Sequence, residues 1–186
     1  MRTCWRHRPA TRLRPLTPHD GATVDVVFAG LSARSRVLRF HRELQQLTAS
    51  TRDALLATDG VHHVGIVAEV RGGRSWEPVG LGRYVVEPSG TDAEVAFEVV
   101  DAWQGRGIGR LLLTELVVTA RRHRVRVFRA HVLPDNHASL RLLRHVLPDQ
   151  RVRRADGALE IVAQLEPRPL SLTDLLDDLG AISGNA

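Results

Sequence analysis

The sequence predicts a mixed α/β domain in layers, built around a mostly antiparallel sheet. Three observations carry that prediction. Apolar stretches at 63–70 (HVGIVAEV), 78–86 and 94–100 follow one another through short turns, as the strands of a meander do. Two longer stretches, 33–46 and 109–123, repeat apolar residues at the three- and four-residue spacing of amphipathic helices. Strand and helix signals do not alternate one for one, so a repeated βαβ wind is excluded.

Taken in order, Thr11 to Leu16 alternates and ends at a Pro-Leu-Thr-Pro break, which suits a short first strand. Asp20 to Leu31 is weakly helical. Ser32 can cap a stronger helix over Ala33–Gln46, with Val37, Leu38, Phe40, Leu44 and Leu47 as its stripe, and Thr48 or Ser50 caps a shorter one that turns Leu55 and Leu56 inward. The three meander strands follow, divided by Arg71-Gly72-Gly73-Arg74 and Glu87-Pro88-Ser89-Gly90. The helix over Gly109–His123 faces inward through Leu112, Leu113, Leu116, Val117 and Ala120. Val125–Val132 reads as a strand, and Pro134-Asp135 opens a helix through Leu140, Leu142, Leu143 and Val146. Arg151–Ala155 and Ala158–Leu165 form a hairpin about Asp156-Gly157. The expected organisation is a basic extension over 1–10, one domain over 11–166, and a tail over 167–186 in which Leu172, Leu175, Leu176 and Leu179 suit a turn or two of helix.

Composition narrows the function classes. At 43% apolar and 25% charged residues the chain is ordinary for a globular domain, and no apolar run approaches the roughly 20 residues of a membrane span. The single cysteine, Cys4, allows no internal disulfide, and a reducing, cytoplasmic setting is expected. All 26 basic residues are arginine and the net charge is +5, which rules out a lysine nucleophile. The arginines are scattered and aromatic residues are few, so nucleic acid is a poor partner and a phosphorylated ligand a better one. His62 and His63 are adjacent and point to opposite faces of a strand, and no His-Glu-x-x-His or Cys/His cluster exists; no metal is expected.

Chemistry concentrates at Gln104-Gly105-Arg106-Gly107-Ile108-Gly109-Arg110, between a strand and a helix. Glycines there permit positive φ and close backbone approach, and a helix start offers free N–H groups and a positive dipole end to a phosphate. A dinucleotide fingerprint would need glycine at position 110, which is arginine, and a Walker A loop needs a lysine that the chain lacks. Before the turn, Ala93–Val100 alternates so that Glu94, Ala96 and Glu98 share one face and Val95, Phe97 and Val99 the other. Two carboxylates beside an anion cradle make a credible basic site; the plainer alternative pairs each with an arginine.

The motif Gln104-Gly105-Arg106-Gly107-Ile108-Gly109 resembles the Gln/Arg-x-x-Gly-x-Gly/Ala signature of the GNAT N-acetyltransferase superfamily, and the element order over about 11–166 is similar to that family's. The resemblance implies a splayed central sheet of six or seven strands with helices on both faces. It implies acetyl-CoA as cosubstrate, its pyrophosphate on the turn (Gln104, Gly105, Arg106, Gly107, Ile108, Gly109, Arg110) and its pantetheine arm along Val99 and Val100. Asn136, in Pro134-Asp135-Asn136-His137-Ala138-Ser139, resembles a CoA contact of the family and equally suits a helix cap; Ser139 is a further candidate. The Ala-Glu-Val-Ala-Phe run resembles the place where lysine acetyltransferases of the superfamily carry their glutamate base, which puts Glu94 first and Glu98 second. The segment from Ser32 to His41, followed by Leu47-Thr48, is similar to bacterial protein lysine acetyltransferases, so the acceptor implied is a primary amine, a protein lysine or a small molecule. One departure stands out: Leu143 falls where many members carry the tyrosine that protonates the CoA sulfur, and Tyr84 lies on another strand. That loss keeps a noncatalytic acyl-CoA-binding domain as the alternative. A homodimer is left open.

Overall fold

The computed structural model describes residues 9–165; the expectations for Cys4 and for the tail helix from Ser171 lie outside them. The elements run β1 (Thr11–Pro15), α1 (Gly21–Ala29), α2 (Ala33–Phe40), α3 (Ala49–Leu56), β2 (His63–Gly72), β3 (Ser75–Val86), β4 (Asp92–Val99), α4 (Ile108–Arg122), β5 (Val127–Val132), α5 (His137–Val146), β6 (Gln150–Ala155) and β7 (Ala158–Gln164), with a single 3-10 turn at Asp101–Trp103. Seven strands form one sheet in the order β1-β2-β3-β4-β5-β7-β6. Every pairing is antiparallel except β4 with β5.

Alternation along the strands divides the core in two. Val64, Ile66, Ala68, Val70, Tyr84 and Val95 pack with Leu112, Leu113 and Leu116 of α4. Val67 and Leu81, on the other face, pack with Val24 and Val27 of α1 and Leu55 of α3. Leu112, Leu113 and Leu116 are fully buried, and each contributes about 1.5–3 kcal/mol of transfer free energy. Gly80 lets α4 lie close on β3: a Cβ there would stand 2.9 Å from the Glu98 carbonyl oxygen and 3.1 Å from a Leu112 methyl.

One helix is shorter than its pattern predicts. α2 stops at Phe40, and His41 follows in the left-handed region at φ 56°. Arg36 explains the stop. Its guanidinium lies over the Phe28 ring and donates to the Leu44 and Gln45 carbonyls, so the chain after His41 folds back over α2 instead of continuing it. α5 likewise begins later than Pro134-Asp135 suggests, because the Asn136 side chain caps it by accepting from Ser139 N–H at 3.1 Å.

Away from the site, Arg14 ties β1 to the start of α1. It donates to Asp20 at 2.8 and 3.0 Å and to Glu69 at 3.0 Å, while Arg12 donates to the other Glu69 oxygen. The Arg14 bond holds the Asp20 carboxyl well below the usual carboxylate range. Burial works to raise Glu69, but the bonds from Arg12 and Arg14 outweigh it and leave that carboxyl lowered too.

Candidate active site

The sheet opens where β4 meets β5. Only Asp92, Ala93 and Glu94 pair with β5, opposite Val127, Phe128 and Arg129; from Val95 onward the strands diverge. A parallel pair that splays leaves backbone N–H and C=O groups of β4 facing a gap. That gap is a cavity of about 420 Å³, bounded by β4 from Val95 to Val99, by Ala130–Val132 of β5, and by the starts of α4 and α5.

The glycine turn closes one end. Gly105 and Gly107 have φ of 70° and 89°, a region that other L-residues enter only at a cost. Gly107 is the N-cap of α4, and no side chain caps that helix. Its first-turn amides and positive dipole end therefore face the cavity without a protein anion. Gln104, Gly105, Gly107, Ile108, Gly109 and Arg110 all line it. The Gln104 side-chain amide is spent on structure, donating to the Val99 carbonyl at 3.0 Å and Asp101 at 3.1 Å. Arg106 lies outside the lining, its guanidinium 4.8 Å from the Trp103 ring centre. Val99 lines the cavity; Val100 does not, since it points to the α1 side against Gly30 and the second core. Asn136 and Ser139 are both in the lining, where Asn136 also serves as the α5 cap.

The two carboxylates share a face, as alternation predicts, but their surroundings differ. Glu98 is buried and bonded to Arg39 of α2 at 2.5 Å, and both side chains are largely covered. The arginine pairing weighed for Glu98 is thus its actual state. Glu94 is 61% exposed at the rim, with His131 Nδ1 4.0 Å away. Beside it a second cavity of about 220 Å³ lies under α2 and α3, bounded by Glu94 and Ala96 of β4, Arg83 and Val85 of β3, and Arg39. Arg39 and Ala96 belong to the walls of both cavities, so the two meet across β4. Sequence reasoning did not single out Arg39, Arg83 or His131, which approach Glu94 and Glu98 only through tertiary structure. His41 lines neither cavity.

No hydroxyl of a tyrosine reaches the site. Leu143 is fully buried and forms part of the cavity wall. Tyr84 is sealed on the α4 side of the sheet, its hydroxyl 2.7 Å from His123 Nδ1, and burial, helped by Asp59, pushes the phenol above its ordinary range. Among the described residues no group of three His, Cys, Asp or Glu could hold a metal ion, and no helix is long and apolar enough to cross a membrane.

The model of the Acetyltransferase (GNAT) family matches residues 33–147, which include the splayed parallel pair and the glycine turn. The chain belongs to the GNAT acetyltransferase family. Over 136 residues, 70% of its length, this GNAT chain is 34% identical to acetyltransferase Pat of Mycolicibacterium smegmatis, of which the match covers 39%. It is 28% identical over 111 residues to acetyltransferase PA5475 of Pseudomonas aeruginosa, 60% of each chain. It thus spans two fifths to three fifths of the curated relatives it matches. Among solved structures, the GNAT domain of S. lividans PAT superposes with a TM-score of 0.74 at 29% identity, over 83% of this chain and 90% of that one. The Salmonella typhimurium protein yncA, solved with its cofactor acetyl-CoA, shares the GNAT fold at a TM-score of 0.65 and 20% identity, over 86% and 96% of the two chains.

Proposed function

We propose that this chain is an N-acetyltransferase that moves the acetyl group of acetyl-CoA to a primary amine, on a protein lysine or a small molecule, by direct attack in a ternary complex with Glu94 as general base. One observation carries the reading: the cavity in the gap between β4 and β5, with the uncapped start of α4 in its wall, shares Arg39 and Ala96 with a second cavity that Glu94 lines.

The residues fit acetyl-CoA. A pantetheine arm carries amides that need partners, and the β4 edge beyond Glu94 offers backbone groups that β5 does not take. A pyrophosphate suits the uncapped start of α4, with Arg110 and Arg141 in the same wall. When bound, the cosubstrate supplies an activated thioester. The β4 backbone would orient it in the gap, and Leu142 and Leu143 would keep water from its acyl end. Glu94 then accepts the amine proton, directly or through a water molecule at the rim. The new N–C bond forms as the C–S bond breaks, and the thiolate takes its proton from solvent. A thiol is acidic enough, near pKa 8.5, to depart without a dedicated acid. Glu98, in the wall of the first cavity, is bonded to Arg39 and is therefore the second choice of base.

Leu143 in the cavity wall also suits a noncatalytic acyl-CoA-binding domain, the competing reading. Acetyl-CoA turnover with a panel of primary amines, read as free CoA, separates them. Amine-dependent CoA release is expected; tight acetyl-CoA binding with no release from any amine would establish the binding domain instead.

A further inference from the structure

The cavity under α2 and α3 is lined by an arginine, Arg83, that has no counter-ion among the described residues. Arg83 stands on β3 opposite Ala96, on the face that carries Glu94 and Glu98. The other arginines of α2 and α3 include matched ones: Arg39 to Glu98, Arg34 to Asp135, Arg52 to Asp25. Arg36 is held by carbonyls and Phe28, and Arg42 is exposed and donates to Thr51. Arg83 is half-buried and donates to one acceptor, the Ala54 carbonyl at 3.1 Å; among the described residues it enters no ion pair. A guanidinium has five N–H donors, and a cation drawn out of water without an anion is costly. Burial, followed by the charge of Arg39, lowers its pKa, with Glu98 and Glu94 opposing. Glu98 is committed to Arg39, and Glu94 stands at the exposed rim.

We propose that Arg83 anchors a carboxylate of the acceptor, so that the acceptor is an amine carrying a carboxylate within a few bonds of its nitrogen. The inference rests on the acetyltransfer reading, with the second cavity as the acceptor's entrance. Glu94 and Arg83 sit on adjacent strands as diagonal neighbours, about 7 Å apart at Cβ. The amine lies at Glu94 and its carboxylate on the guanidinium, which is built for a bidentate carboxylate. Two sources supply this chemistry: a free amino acid, and a protein lysine beside an acidic residue.

Matched acceptors that differ only in that charge test it. 4-Aminobutyrate and 6-aminohexanoate are compared with their amides, and N-acetyl-Asp-Lys-amide with its Asn counterpart, in the wild type, Arg83→Met, Arg83→Lys and the exposed control Arg42→Gln. Wild type and Arg42→Gln are expected to favour the carboxylate member of at least one pair by about tenfold to a hundredfold in kcat/KM, the range of a charge-assisted bond. In Arg83→Met the ratio of the two members should collapse toward one, and Arg83→Lys should restore part of the preference. The pair that discriminates identifies the source. Equal use of both members by the wild type overturns the proposal, and so does an Arg83→Met variant that loses both members equally. Calorimetric titration of the same ligands provides a readout without turnover. If no acceptor releases CoA, the acetyltransfer reading fails; carboxylate binding that Arg83→Met abolishes would still uphold the anchor, and no binding would remove it.

Discussion

Replacing Glu94 by glutamine keeps the shape of the side chain and removes its capacity to accept a proton. The consequences for stability and turnover separate cleanly. Glu94 is 61% exposed and its contact with His131 is 4.0 Å long, so the lost interaction is that of a surface pair, about 0–1 kcal/mol. The melting temperature should move by no more than a few degrees. Glu94 borders the second cavity and not the first, so acetyl-CoA affinity, measured by calorimetry, should stay unchanged. Turnover at pH 7 with saturating acceptor should fall by about 10²–10⁴, the contribution of a general base, or roughly 3–5 kcal/mol in activation free energy. Glu98→Gln provides the contrast. It leaves Arg39, which is 15% exposed, without its anion; breaking a buried pair costs about 3–5 kcal/mol, and partial exposure of the arginine places the expected loss at the lower end. That variant should therefore melt early. Undiminished CoA release by Glu94→Gln at saturating acceptor, with the protein folded, would remove Glu94 from the mechanism.

Gly107→Ala meets no atom within 4 Å of the new Cβ, so its cost is backbone strain at φ 89°, about 1–2 kcal/mol. Thermal melting should register that loss, and calorimetry should show weaker acetyl-CoA binding; an unchanged melt would mean that the turn relaxes freely. The Arg14 network makes stability pH-dependent. Asp20 and Glu69 have folded pKa values below their unfolded ones, so their stabilisation is complete above about pH 4.5 and is lost as pH falls through the depressed values. Urea unfolding at pH 7, 4 and 2.5 should show that decline, and Asp20→Asn should be less stable than wild type at pH 7 and converge with it in acid. A constant difference between the two at all three pH values would contradict the assignment.

Much of this protein is local, and what is local is legible in the sequence. The turn at Gly105–Gly107, the α4 stripe of Leu112, Leu113 and Leu116, the Thr48 and Asn136 caps, and the shared face of Glu94 and Glu98 all follow from spacings within one element. Backbone periodicity and hydrogen-bond geometry set these, and both act over a few residues. The end of α2 was not legible, because it depends on Arg36 reaching carbonyls eight and nine residues away over the ring of Phe28. The place of β7 between β5 and β6 depends on chain return, which no periodicity encodes.

The division is sharpest at the active site. Sequence by itself determined that a glycine turn precedes a long amphipathic helix and follows a strand with two carboxylates on one face. Which carboxylate takes an arginine was decided by tertiary structure, when α2 delivered Arg39 to Glu98 across 59 residues and left Glu94 at the rim beside His131. The same packing put Arg83 in the wall of the second cavity with no ion pair among the described residues. An ion pair depends on distance in space and on the water excluded around it, and neither is a property of a residue's neighbours along the chain.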